Sequence, residues 1–171
     1  MERQAERVLG LLAERGDLME SVWDYPRPPR VEQTDALVEV VLGGEVVART
    51  RRALRVLETS HPPTYYIPVA DFAEGSLQPA AGSSFCEWKG TAAYFDVVGA
   101  GTVAKKAAWH YPHPTAAFAK LADHVAVYPA EVDRCLVDGE VVRPQPGGFY
   151  GGWITSDLVG PFKGEAGTAS W

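Results

Sequence analysis

A chain of 171 residues, 46% hydrophobic and 22% charged, is long enough for one domain with a true core and too short for two. Its formal net charge of −6 argues against a general nucleic-acid binder, whose surface must be basic to displace counterions. The two cysteines, Cys86 and Cys135, form no C-x-x-C pair, so neither a structural zinc site nor another cofactor is indicated. The N-terminal region has no apolar run long enough for a signal peptide or a membrane span. The expectation is a cytoplasmic protein with reduced thiols and no membrane partner.

Residues 2–16 carry Ala5, Val8, Leu9 and Leu12 at helical spacing, with Gly16 as a C-terminal cap. They predict an amphipathic helix, an appendage over residues 1–20 ahead of a single mainly-β domain over residues 21–171. The prolines of Val22-Trp23-Asp24-Tyr25-Pro26-Arg27-Pro28-Pro29 enforce an extended path. Leu37 to Val41 and Glu45 to Ala48 flank Gly43-Gly44, a hairpin signal. Arg49, Arg51, Arg52 and Arg55 form a short basic cluster, read as a solvated strand face, that leads into a strand from Leu54 to Glu58. Tyr65-Tyr66-Ile67-Pro68 reads as a strand stopped by proline, and residues 71–82 as loop.

The stretch Ser84 to Val97 organises the rest. It sets a thiol (Cys86), a carboxylate (Glu87), an indole (Trp88) and an amine (Lys89) side by side, just before a run that alternates as a strand. Ala93, Phe95 and Val97 share one face of that strand, and Gly90 marks its entrance. Thr102 to Tyr111 reads as the hairpin partner, and Thr115 to Ala122 as a helix capped by Thr115, with Phe118 and Leu121 buried. Strands follow at Val125 to Tyr128 and Val132 to Val137, with Asp138-Gly139 as a turn into Glu140-Val141-Val142. From Arg143 the chain is rich in Gly and Pro but keeps large aromatics, so an ordered, irregular wrap over the domain is expected.

Three pairs of segments echo each other. Trp23-Asp24-Tyr25-Pro26-Arg27-Pro28 matches Trp109-His110-Tyr111-Pro112-His113-Pro114, and Gly44-Glu45-Val46-Val47 matches Gly139-Glu140-Val141-Val142. Trp88-Lys89-Gly90-Thr91-Ala92 matches Phe162-Lys163-Gly164-Glu165-Ala166. Many short strands with little helix predict a mainly-β fold, a small sandwich or half-open barrel.

Tyr65-Tyr66-Ile67-Pro68, Cys86-Glu87-Trp88-Lys89-Gly90, Ala108-Trp109-His110-Tyr111-Pro112 and Val125-Ala126-Val127-Tyr128 occur together and in this order. With the tail Pro144 to Trp153, the chain resembles the bacterial and fungal family known as domain of unknown function 427, sometimes labelled nucleotidyltransferase-like. The resemblance implies a tent-like β domain of two small antiparallel sheets and implies no reaction. Neither a Gly-rich phosphate loop leading into a helix nor a paired acidic metal motif stands out to support a transferase.

Several side chains are candidates for chemistry. Cys86 is either a nucleophile activated by Lys89 or an inert buried thiol. Lys89 can bind a carboxylate or phosphate, or lie along Trp88 as a surface lysine. Glu58, at a strand end beside a Pro-rich turn, suits a general base or a plain hydrogen-bonded terminus. Tyr65, Trp88, Trp109, Tyr111 and Trp153 either line a ligand pocket or fill the core. His61, His110 and His113 lack the spacing of a metal site. The leading expectation is a domain that binds a small molecule in an aromatic pocket at the mouth of the central strand, with catalysis and homo-oligomerisation left open. The alternative is a non-catalytic interaction module with an aromatic and Pro-rich surface.

Overall fold

The computed structural model describes residues 19–147, 149–165 and 167–168. The amphipathic helix expected over residues 2–16 lies outside them. Among the described residues fifteen strands follow in order, beginning with β1 (Glu20–Ser21), β2 (Arg30–Gln33), β3 (Val38–Leu42), β4 (Glu45–Thr50), β5 (Leu54–Leu57), β6 (Thr64–Pro68) and β7 (Leu77–Cys86). Next come β8 (Gly90–Gly99), β9 (Thr102–His110), β10 (His124–Val127) and β11 (Arg134–Val137). The short β12 (Glu140–Val141), β13 (Arg143–Pro144), β14 (Trp153–Ile154) and β15 (Leu158–Val159) complete the set.

Two antiparallel sheets carry the fold. One has seven strands in the order β2-β5-β6-β10-β9-β8-β7, the other four in the order β12-β11-β3-β4. The predicted hairpins form where residues with positive φ permit the tight turn, Gly43 at +64° with Gly44 at +79°, and Asp138 at +49° with Gly139 at +83°. The echo between these two hairpins has a structural counterpart. β3 pairs antiparallel with β11, so the two hairpins lie side by side in one sheet.

Strand alternation divides the apolar residues into layers. Tyr65, Ile67, Val97, Val125 and Val127 point to one side of the seven-stranded sheet, where they meet Val38, Val40, Leu42, Val47 and Cys135 of the four-stranded sheet. Tyr66, Ala92, Trp109 and Ala126 point to the other side, under Tyr111, Phe118 and Leu121. A smaller cluster joins Val22, Tyr25 and Leu57 to Ile154 and Phe162 of the tail.

Two sequence expectations are corrected. Residues 77–82, read as loop, belong to β7. Pro79 is tolerated because β7 is an edge strand, and Gly82, with φ of +101°, occupies a break in its register between Ala80 and Ser83. The segment after Thr115 forms 3-10 turns over Ala116–Leu121, with a non-helical Phe118 inside, instead of an α-helix. Phe118 and Leu121 are nevertheless buried as expected, while Thr115 makes no capping bond and turns its hydroxyl to the carbonyl of Trp88.

The tail is fastened by Trp153. Its ring is fully buried and stacks on Tyr65 with centroids 4.9 Å apart, and its indole N–H donates to the carbonyl of Val127 at 3.0 Å. Phe149 differs from Trp153 and Phe162 and stays 73% exposed. Trp153→Ala is expected to cost about 3–5 kcal/mol, the usual range for emptying a large aromatic site. Urea unfolding measures this, and a loss under about 1 kcal/mol would show that the indole does not hold the tail.

Candidate functional site

On the side of the seven-stranded sheet away from the four-stranded sheet lies a cleft of about 480 Å³. Val56 of β5 and Tyr66 of β6 contribute to its lining, with Trp109 from the end of β9 and Tyr111 beyond it. Cys86 at the end of β7 and Glu87, Trp88 and Lys89 of the connection to β8 also line it, and the tail supplies Gln145, Tyr150, Gly151 and Lys163. Arg27, Glu58 and His61 complete the polar part. A second depression beside it, of about 520 Å³ with Lys105, Lys106 and Glu131, shares Tyr94, Tyr128, Gln145 and Tyr150 with the cleft.

Local backbone geometry holds Lys89 in place. Gly90 has φ of +111°, and a Cβ there would sit 3.3 Å from the carbonyl oxygen of His113. Only glycine suits both demands. Thr115 then ties the turn down, its N–H donating to the Lys89 carbonyl at 3.1 Å and its hydroxyl to the Trp88 carbonyl at 2.6 Å. The Lys89 ammonium lies 5.8 Å from the ring centroids of both Tyr111 and Phe118, within cation–π range.

The tail closes the other wall. Gly151 passes so close to Trp109 that a Cβ would lie 2.1 Å from its Cη2, and a Cβ on Gly152 would lie 2.6 Å from both Gln145 Oε1 and the Pro62 carbonyl. Lys163 enters from the tail as Lys89 does from the hairpin, each preceding a glycine with φ near +110°. The third sequence echo therefore places its two lysines on one cleft.

Burial and neighbouring charge oppose each other at Glu58 and reinforce each other at His61. Burial raises the Glu58 carboxyl above its ordinary range, against the opposing pull of Lys89, Arg27 and Lys163. Burial also lowers His61, to about 4, and the same three cations push in the same direction. His61 is therefore neutral at pH 7. Its Nε2 stands 3.8 Å from Glu58 Oε2, and the Arg27 Nε stands 4.0 Å from that same oxygen.

Of the residues read from the sequence, Glu58, Cys86, Trp88, Lys89, Trp109 and Tyr111 line this cleft. Tyr65 and Trp153 do not. They stack in the core on the opposite face, because neighbouring strand residues point to opposite sides, and Tyr66 takes the place assigned to Tyr65. Arg27, Gln145, Tyr150 and Lys163 are not among the candidates read from the sequence, and His61 enters there only as one of three histidines without metal-site spacing. Lys163 was marked by its echo with Lys89, and Tyr66 by alternation, but no local signal marked Gln145. Among the described residues no three His, Cys, Asp or Glu side chains gather as a metal site.

The cysteines differ sharply. Cys135 is fully buried, which pushes its thiol pKa up, while Cys86 is half-buried at the cleft. A colorimetric thiol reagent is expected to titrate Cys86 alone in the folded protein and both thiols after unfolding. Two fast-reacting thiols in the native state would contradict this burial. The His61 shift has a pH consequence. Between the unfolded value near 6.5 and the folded value of about 4, the unfolded chain binds the extra proton, so stability falls as pH falls through this window. Glu58, shifted upward, acts in the opposite sense. His61→Gln should therefore lessen the loss of unfolding free energy between about pH 7 and 4.5 by about 2 kcal/mol. An unchanged pH slope in that variant would refute the half-buried neutral imidazole.

A search of curated proteins finds no match to this chain. A family model described as a domain of unknown function, DUF427, matches residues 30–138, which include Glu58, His61, Tyr66, the Cys86–Gly90 turn, Trp109 and Tyr111. Arg27, Gln145, Tyr150 and Lys163 fall outside the matched span. With well over half of its length matched, the chain belongs to the DUF427 family.

Proposed function

We propose that the cleft binds a small anionic molecule with a flat apolar body. The observation that carries this reading is the convergence of Arg27, Lys89 and Lys163 on one aromatic-lined cleft in an otherwise acidic protein. Their fields reach both Glu58 and His61, so an anion entering the cleft meets concentrated positive charge at low dielectric. Trp88, Trp109, Tyr66 and Tyr111 offer ring faces and edges to the body of the ligand. The net charge of −6 speaks against extended nucleic acid as the ligand and is compatible with one small anion held locally.

Benzoate and inorganic phosphate are suitable probes, read by the fluorescence of the cleft tryptophans and by thermal shift. Lys89→Met is expected to weaken binding of either probe about tenfold or more, the usual consequence of losing a charge-assisted contact. Absence of binding at millimolar concentration, or binding that Lys89→Met leaves unchanged, would overturn the reading. One observation favours a second reading, an interaction surface for a protein partner. Phe85 and Phe149, 76% and 73% exposed, both stand among the residues of the cleft. Replacing both with Ser separates the two, since it would abolish partner capture and spare the binding of phosphate.

A further inference from the structure

The buried amide of Gln145 has a determined orientation. Its Oε1 accepts the Gly152 N–H at 3.0 Å, so the other end is the NH2 group, which donates to the Lys163 carbonyl at 2.9 Å. A flipped amide would set N–H against N–H and oxygen against oxygen at these two contacts. The same Nε2 lies 3.2 Å from Nδ1 of His61 and has a second hydrogen to give. Nδ1 must therefore be an acceptor, and the proton of the neutral ring resides on Nε2. Nε2 faces Glu58 Oε2 across 3.8 Å, too far for a hydrogen bond between them. Among the described residues no side-chain hydrogen bond occupies the Glu58 carboxylate. A donor and a base thus stand open, side by side, to one bound molecule.

We infer that Glu58 and His61 form a proton-transfer pair acting on a small anionic carbonyl compound, with Gln145 as the positioning residue that keeps the His61 proton on Nε2. The inference rests on the anion-binding reading and gives it a reaction class. A C–H bond next to the substrate carbonyl breaks, and its proton passes to the Glu58 carboxylate. The electron pair stays on the substrate, and the charge that develops on the carbonyl oxygen is met by the Nε2–H of His61. Return of the proton to a different atom completes an isomerisation, with no oxidant or reductant. Arg27, Lys89 and Lys163 face the pair, hold the anionic group of the substrate and keep His61 from charging. A neutral imidazole beside a carboxylate base suits enolisation, because a neutral donor matches the acidity of the enol. The upward shift of Glu58 brings a carboxylate base nearer to neutral pH.

The first test is long-range proton–nitrogen NMR on the full chain with 15N-labelled histidine, the His61 signals being assigned with His61→Gln. The expected result is a neutral Nε2–H ring that stays neutral from about pH 8 to 5, given its value of about 4. Gln145→Glu, which sets a carboxylate against Nδ1, should move the proton to Nδ1. A wild-type ring protonated on Nδ1 or charged at pH 7 would overturn the inference, and this result does not depend on whether the variant folds. The second test follows deuterium incorporation from D2O at the acidic carbon of phenylpyruvate, whose ring and carboxylate match the cleft. Wild-type protein should accelerate exchange, and Glu58→Gln should lose at least about a hundredfold, in line with removal of a general base. Equal rates with and without Glu58 would refute the proton-transfer pair. Binding of phosphate and benzoate is read independently, so anion binding can stand when proton transfer fails.

Discussion

Trp153 is buried on one face of the seven-stranded sheet, and much of the opposite face depends on it. Its ring stacks on Tyr65, its indole N–H reaches the Val127 carbonyl, and its backbone N–H donates to the Pro63 carbonyl at 2.8 Å. Those contacts set the register of the tail. Gly152 is then pressed against Pro62 and Gln145, and Gly151 against the Trp109 indole, where no side chain fits. Gln145 receives its fixed amide from that register and passes it to His61. A hydrophobic contact remote from the cleft thereby decides which nitrogen of a cleft histidine carries the proton.

Charge is distributed unevenly over the molecule. The arginines that cluster in sequence are separated by the fold, and three of them meet carboxylates: Arg49 pairs with Glu39 at 2.7 Å, Arg52 with Asp71 at 2.8 Å, and Arg55 with Glu32 at 2.6 Å. Arg55 is the exception to a solvated strand face. It is largely buried and shared between Glu20 and Glu32, where Tyr25 also donates to Glu20 at 2.6 Å. Burial works against the Glu20 charge, yet the bonds from Tyr25 and Arg55 keep its pKa low. At the cleft the balance is different. Arg27, Lys89 and Lys163 act on a single half-buried carboxylate and a neutral ring, and burial, the largest influence, keeps Glu58 above its ordinary range in spite of them. Ion pairs at the strand faces fasten the structure, while at the cleft Arg27 and His61 face the Glu58 carboxylate across 4.0 and 3.8 Å.

Much of this was legible in the residues themselves. Gly43-Gly44 and Asp138-Gly139 require tight turns through their positive φ, and Phe95 and Val97, two apart in the alternating run, both reach the core from β8. The run Cys86 to Gly90 marked the mouth of the cleft because reactive side chains there precede a glycine needed for a left-handed turn. These are local properties, set by backbone sterics and period-two geometry, and a linear chain displays them.

The rest needed the folded chain. Residues 77–82 look like loop because proline and glycine break a strand pattern, and only their position at a sheet edge makes them tolerable. Tyr65 and Tyr66 are equivalent as letters, and β6 could have presented either one to the cleft until its neighbours β5 and β10 fixed which face was which. Gln145 carries no local signal at all, since its role comes from a carbonyl, an N–H and an imidazole brought to it from residues 163, 152 and 61. By itself the sequence determined the turns, the alternation and the reactive corner, because each depends on neighbours along the chain. The partners of Gln145, the facing lysines and the shifted Glu58–His61 pair were decided by tertiary structure, because burial and charge act through space.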